Sequence, residues 1–202
     1  MKKTEAQRKP RITRDSLLTL EAYARTRNEY RAKVIAHKKD RTVHLGEHLT
    51  LLFEDELTVR YQIQEMLRIE KTFDDAGIQD ELDAYNPLVP DGANWKATLL
   101  IEYEDVDERK VALANLKGIE DRVWVQVEGA ARVYAIADED LERENDTKTS
   151  SVHFVRFELT PEMIAAVKYG VGVSIGVDHP AYTFTLAAIP EATRRALVAD
   201  LA

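Results

Sequence analysis

Leu20, Tyr23, Arg27, Tyr30, Val34 and His37 recur at alternating spacings of three and four in a stretch free of Gly and Pro. That period sets them on one face of a long helix whose apolar stripe is broken at Arg27. Thr13 and Asp15 offer caps, so the helix is predicted from there to about Lys39. Met1 to Ile12, polar and basic with Pro10 and no apolar period, reads as a flexible tail. Arg41 to Leu45 and Leu49 to Glu54 read as strands joined in a hairpin through Gly46-Glu47. Glu54, Asp55 and Glu56 suit a helix N-terminus, and the next helix is predicted to about Phe73 with Val59, Ile63, Met66 and Phe73 on one face. A shorter helix, about Gln79 to Tyr85, leads into the Pro- and Gly-bearing loop Asn86 to Gly92.

The pattern changes after Trp95. Ala97 to Tyr103 reads as a strand, Asp105 to Lys117 as a helix stopped by Gly118, and Arg122 to Glu128 with Arg132 to Ala137 as a hairpin around Gly129. Asp138 to Ser151 is a polar connection. Strands follow at His153 to Leu159, Gly172 to Val177 and Tyr182 to Ala188, with helices opened by Thr160-Pro161-Glu162 and by Pro190. Helices first and antiparallel-looking strands with short helices afterwards predict an α+β fold: a helical part with a hairpin, then a mainly antiparallel sheet. Residues 13–202 form one predicted domain, divisible into a helical part at 13–95 and a sheet part at 96–202.

Composition narrows the chemistry. The 202 residues contain no Cys, which removes disulfides, thiolate zinc, a Cys-ligated iron–sulfur cluster and a cysteine nucleophile from this chain. A non-haem metal on His and carboxylate ligands stays open. No run approaches the roughly 18 apolar residues of a membrane span, and the basic start lacks the apolar stretch of a secretory signal, so a cytoplasmic protein away from membranes is expected. The net charge of −8 is uneven: residues 1–41 hold 13 Lys or Arg and 5 Asp or Glu, while residues 42–202 hold 15 and 31. A basic arm on an acidic body can dock an acidic partner through Arg27, Arg31 and Lys33, or pack on itself. No nucleic-acid-binding signature accompanies it, which argues against RNA or DNA.

There is no phosphate loop, dinucleotide fingerprint, nucleophile elbow or H-E-x-x-H. His37, His44 and His48 fall within twelve residues, with Glu54 and Glu65 just downstream, and offer zinc, manganese or iron a ligand set, of which Glu65 is the carboxylate singled out, if the hairpin register brings them together. In Arg60-Tyr61-Gln62-Ile63-Gln64-Glu65-Met66-Leu67-Arg68, Arg60 and Gln64 share one helical face and Tyr61, Glu65 and Arg68 another. These side chains either line a ligand cleft, with Arg60 or Arg68 on an anion, or form a network with the first helix. Asn86, Asp91 and Trp95 lie in or beside the ordered loop and are recognition candidates. Asp178-His179-Pro180 with Tyr182 is another, provided that Pro180 bends the chain so that Asp178 can orient His179.

Several segments carry a resemblance. They are Val34-Ile35-Ala36-His37-Lys38-Lys39, His44-Leu45-Gly46-x-His48-Leu49-Thr50-Leu51-Leu52-Phe53-Glu54, Thr58 through Glu70, Glu81-Leu82-Asp83-Ala84-Tyr85-Asn86-Pro87-Leu88 and Gly176-Val177-Asp178-His179-Pro180. Through them the chain resembles, over residues 13 to about 185, a bacterial family known only as a domain of unknown function. The resemblance implies variable ends and no established activity. It also implies a setting beside a rubrerythrin and an iron–sulfur protein, hence an accessory role in a redox or oxidative-stress system, with those proteins as partners. The alternative is a non-haem metal protein or enzyme using the His37, His44, His48 and Glu65 region.

Overall fold

The computed structural model describes residues 12–137 and 148–202. Most of the predicted tail, and most of the connection from Asp138, lie outside the described residues. The helices are α1 Leu20–Lys39, α2 Glu56–Glu70, α3 Asp75–Tyr85, α4 Val106–Asn115, α5 Pro161–Lys168 and α6 Glu191–Val198. The strands are β1 Thr42–His44, β2 Leu49–Phe53, β3 Asn94–Ile101, β4 Val123–Val127, β5 Val133–Tyr134, β6 Ile136–Ala137, β7 Val152–Glu158, β8 Val173–His179 and β9 Tyr182–Leu186. The fold is α+β, and the strands form two antiparallel sheets rather than one: β1-β2-β3-β7-β6 and β5-β4-β8-β9.

Alternation decides what each sheet buries. Leu49, Leu51 and Phe53 of β2, Trp95, Ala97, Leu99 and Ile101 of β3, and Val155 and Phe157 of β7 enter one core with Val123, Val125, Ile175 and Val177 of the other sheet. Helices α4, α5 and α6 close that core with Leu113, Val167 and Leu197. The opposite face of the first sheet carries two cross-strand rows, His44↔Thr50↔Leu100↔Val152 and Thr42↔Leu52↔Thr98↔Phe154. A separate small core, Val59, Ile63, Leu67 and Leu82 with Ile12, holds α2 and α3 together.

Four expectations change in detail. Ile12 is buried, and its backbone N–H and C=O both bond the Asn86 amide at 3.0 Å, so ordered structure begins before residue 13. The first helix starts only at Leu20, capped by Thr19, because Leu18 is held extended by Gln64: Leu18 N–H donates to Gln64 Oε1 at 2.7 Å and Gln64 Nε2 donates to Leu18 O at 3.3 Å. α2 ends at Glu70 with Lys71 left-handed at φ 56°, leaving Phe73 off the apolar face and 77% exposed. The predicted hairpin after β4 divides: β5 stays with β4, the chain crosses at the half-turn of Ala135, and β6 joins β7 in the other sheet.

Two glycines make close approaches possible. Gly46, at φ 81°, lets the Tyr182 hydroxyl into the β1–β2 turn, where a Cβ would lie 2.4 Å from it. Tyr182 Oη donates to Leu45 O at 2.7 Å and accepts from His48 N–H at 3.2 Å, so β9 pins the hairpin. Gly176 lets the Trp124 ring lie on β8, with the Arg132 guanidinium 4.0 Å from the ring centroid on the indole.

Candidate functional site

The polar face of α2 is a helix-to-helix network. Glu65 Oε1 accepts from Tyr23 Oη at 2.6 Å and Arg27 Nε at 2.7 Å, and Oε2 accepts from Arg27 Nη2 at 2.8 Å and Arg68 Nη2 at 3.2 Å. The hydrogen bonds from Arg27, the largest influence, and from Tyr23 and Arg68 outweigh burial, which opposes the charge, and hold the carboxyl well below its ordinary range, at about 2. Burial and the same hydrogen bond push the Tyr23 phenol up. Arg60 pairs with Glu56 one turn back, and Gln64 is spent on Leu18. Of the two readings open for this segment, the internal network is the one the contacts describe.

The histidines do not assemble with Glu65. His37 Nε2 bonds Asp55 Oδ2 at 2.6 Å, and His44 Nδ1 meets Thr50 Oγ1 at 3.0 Å, whose hydroxyl donates to Glu102 Oε2 at 2.6 Å. His48 stacks on Tyr103, centroids 3.8 Å apart, with Nδ1 on Glu102 O at 3.0 Å. Among the described residues no group of three or more His, Cys, Asp or Glu is placed to hold a metal ion. The ligand set His37, His44, His48 and Glu65 is therefore not brought together: α1 and α2 engage the first and last, and the hairpin carries the other two.

The loop candidates are staples. Asn86 ties down Ile12, Asp91 Oδ1 accepts from Ala93 N–H at 2.9 Å, and the buried Trp95 donates its indole N–H to Leu197 O at 3.0 Å. Asp178 and His179 diverge, as neighbours in a strand do. Asp178 Oδ2 accepts from Tyr134 Oη at 2.6 Å, while His179 Nε2 meets Lys117 O at 3.0 Å and Nδ1 accepts from Ala181 N–H at 3.1 Å. Pro180 does not bend them together.

Two clusters escape the motif reading. In the first, Arg41 is 2% exposed and joins three distant segments. Its Nη1 and Nη2 fork onto Asp200 at 2.9 and 2.8 Å, Nη2 also reaches Ala196 O at 3.1 Å, and Nε lies 3.0 Å from Asp55 Oδ2. Burial disfavours the Arg41 charge, but Asp200, Asp55 and Glu54 outweigh it and raise its pKa; burial is likewise outweighed at Asp55, by Arg41, the Thr58 N–H and His37, which lower it. A cavity of about 330 Å³ borders this cluster, between His37, Val89 and Ala199. A lone Arg at the start of a strand pattern is the only signal the sequence offers for it.

The second cluster lies on the open face of the first sheet. Beneath α1 and α2, the two cross-strand rows floor a cavity of about 250 Å³ with Leu52, Leu100, Val152 and Phe154. Glu54, just past β2, accepts from Thr98 Oγ1 at 2.6 Å and from Thr58 Oγ1. Lys38 lines the same cavity from α1, and no ion pair joins it to Glu54. Glu54 had looked like part of a charged helix start, because only the sheet register reveals the two threonines beside it.

The outer face of α1 keeps its charge unspent. Arg25, Arg31, Lys33 and Lys39 are exposed and form no ion pair among the described residues, whereas Arg27 is committed to Glu65. Among the described residues no helix is long and apolar enough to cross a membrane.

A family model described as "Protein of unknown function (DUF3501)" matches residues 11–201. The match runs through α6, which the resemblance had left as a variable end; Asp200 and Leu201, one on Arg41 and one in the core, give that end structural work. A crystal structure described as a novel protein of unknown function from Burkholderia pseudomallei K96243 is 61% identical, covers 96% of this chain and 100% of its own, and superposes with a TM-score of 0.92. No curated protein matches.

Proposed function

The chain belongs to the DUF3501 family of proteins of unknown function, and from the charge left unspent on α1 we propose that it is an accessory protein that docks an acidic protein partner. The carrying observation is that Arg25, Arg31 and Lys33 are exposed on α1 and form no ion pair among the described residues, although the chain carries a net charge of −8. An acidic body with a cationic helix repels most acidic surfaces and admits one that reaches the cations first, which favours orientation and rate over raw affinity. The resemblance of the sequence directs the search to a rubrerythrin or an iron–sulfur protein of the same redox system.

Capture of that partner by the full chain is measured at low and high salt, with Arg31→Glu/Lys33→Glu as the variant. Arg27 is left intact because its reversal would break the Glu65 network. Capture is expected to fall at least tenfold in the variant and at about 0.5 M salt, where the Debye length drops to a few ångströms. Capture indifferent to both changes refutes the docking reading.

A further inference from the structure

We propose that the cavity between the first sheet and the α1–α2 pair binds a free apolar α-amino acid, with Glu54 receiving its ammonium, Lys38 its carboxylate and the sheet its side chain. The site uses residues other than those of the docking surface, since neither Arg31 nor Lys33 lines the cavity.

Three features select that ligand. The first is a carboxylate with no directly bonded cation: Arg41 reaches the Glu54 backbone O at 3.5 Å and acts on the side chain only through space. Glu54 takes one hydroxyl on each oxygen, from Thr98 and Thr58, which fixes its direction and leaves further acceptor positions on both oxygens. No Lys or Arg side chain is paired with that carboxylate, in contrast to Asp55, Glu65 and Asp200, each of which meets an arginine. The second is a cation in the same enclosure: Lys38 lines the cavity and forms no ion pair among the described residues. A simple amine would answer Glu54 but face Lys38, and a simple acid the reverse. A zwitterion answers both.

The third feature is the wall. Leu52, Leu100, Val152 and Phe154 make it apolar, and Thr58 and Thr98 supply the polar end. That division, a mostly apolar lining with a few convergent polar groups, is how small-molecule sites combine affinity with orientation. At about 250 Å³ the cavity lies below the roughly 300–1,000 Å³ of drug-sized pockets, which suits a single amino acid better than a nucleotide or a folded peptide. Charged groups at both ends also discriminate, because a ligand lacking either one leaves a half-buried charge unanswered.

The test is calorimetric titration of the full chain with leucine, methionine and phenylalanine, each beside its amide, which lacks the carboxylate, and its N-acetyl form, which lacks the ammonium. At least one free amino acid is expected to bind, with each blocked form at least tenfold weaker. Glu54→Gln is expected to abolish the preference over the N-acetyl form, and Lys38→Met the preference over the amide. Leu100→Trp, which fills the cavity and leaves both charges in place, is expected to abolish binding; thermal denaturation confirms that each variant is folded. Failure of all three amino acids to bind at millimolar concentration overturns the proposal, as does equal binding of the blocked forms or binding that survives in folded Leu100→Trp. None of these outcomes bears on partner capture.

Discussion

Removal of Asp200 is the sharpest perturbation of the fold. Asp200 is 4% exposed and holds both terminal nitrogens of Arg41, so Asp200→Ala leaves a buried guanidinium whose nearest remaining carboxylate is that of Asp55. Breaking one partner of a buried pair costs about 3–5 kcal/mol, chiefly from the stranded charge rather than the lost attraction. A chain of this size loses roughly 2–4 °C of Tm per kcal/mol, so a fall of about 6–20 °C is expected. Arg41→Met/Asp200→Ala separates the two contributions. It removes the stranded charge, and Asp55 retains His37 and the Thr58 N–H, so the double variant is expected to recover most of the stability lost in Asp200→Ala. Urea unfolding followed by circular dichroism gives both midpoints at comparable slope. A single-variant loss below about 1 kcal/mol, or additive effects in the cycle, would refute the account of Arg41 as a buried clamp between β1, α2 and the C-terminal segment.

Glu65 predicts a pH dependence. Its folded pKa, about 2, lies below the ordinary glutamate value, so its contribution is complete above about pH 5 and is lost as pH falls toward 2. Glu65→Gln is expected to cost about 1–2 kcal/mol at neutral pH, discounted because Arg27 remains partly in solvent, and to flatten the stability profile between pH 5 and 2; an unchanged slope there contradicts the assignment. At the hairpin, Gly46→Ala is expected to cost about 2–3 kcal/mol from the left-handed backbone and the Tyr182 hydroxyl together, and less in a Tyr182→Phe background. Equal cost in both backgrounds would show that the hydroxyl is not what the glycine accommodates.

The elements were legible where periodicity and punctuation agreed. The β1–β2 hairpin, α5 behind Thr160-Pro161 and the β8–β9 pair lie close to where spacing predicts them, because alternation, caps and Pro at a first turn act locally. Two sheets in place of one were not legible. The switch at Ala135 depends on which distant edge offers hydrogen-bond partners, and Val133 and Ile136 look alike in sequence. The delayed start of α1 has the same origin, since an amide 46 residues away holds Leu18 extended. Local propensity for helix yields there to a buried glutamine that needs both its bonds.

The candidate residues divide on the same principle. Density of polar side chains in the sequence led to α2, to Asn86 and to Asp178-His179, and most of their polar atoms are met inside the fold, many by neighbours that the linear text keeps far away, with Arg60 Nε, Arg68 Nε and Asp178 Oδ1 left without a partner. That outcome is what burial demands: a polar group removed from water must find a partner or cost the fold, so polar density inside a small protein mostly measures internal joinery. The informative groups are the exceptions, charges whose neighbours leave them unanswered. On α1 those exceptions are Arg31 and Lys33 at the surface and Lys38 at the cavity, and on the sheet it is Glu54 between two threonines. Lys38 and Glu54 lie in segments that carry the family resemblance, yet nothing in those segments assigns either a role. A charge is retained at low cost in open solvent and at real cost in a half-enclosed cavity, so Glu54 and Lys38 weigh more as evidence of a ligand than any exposed cation of α1.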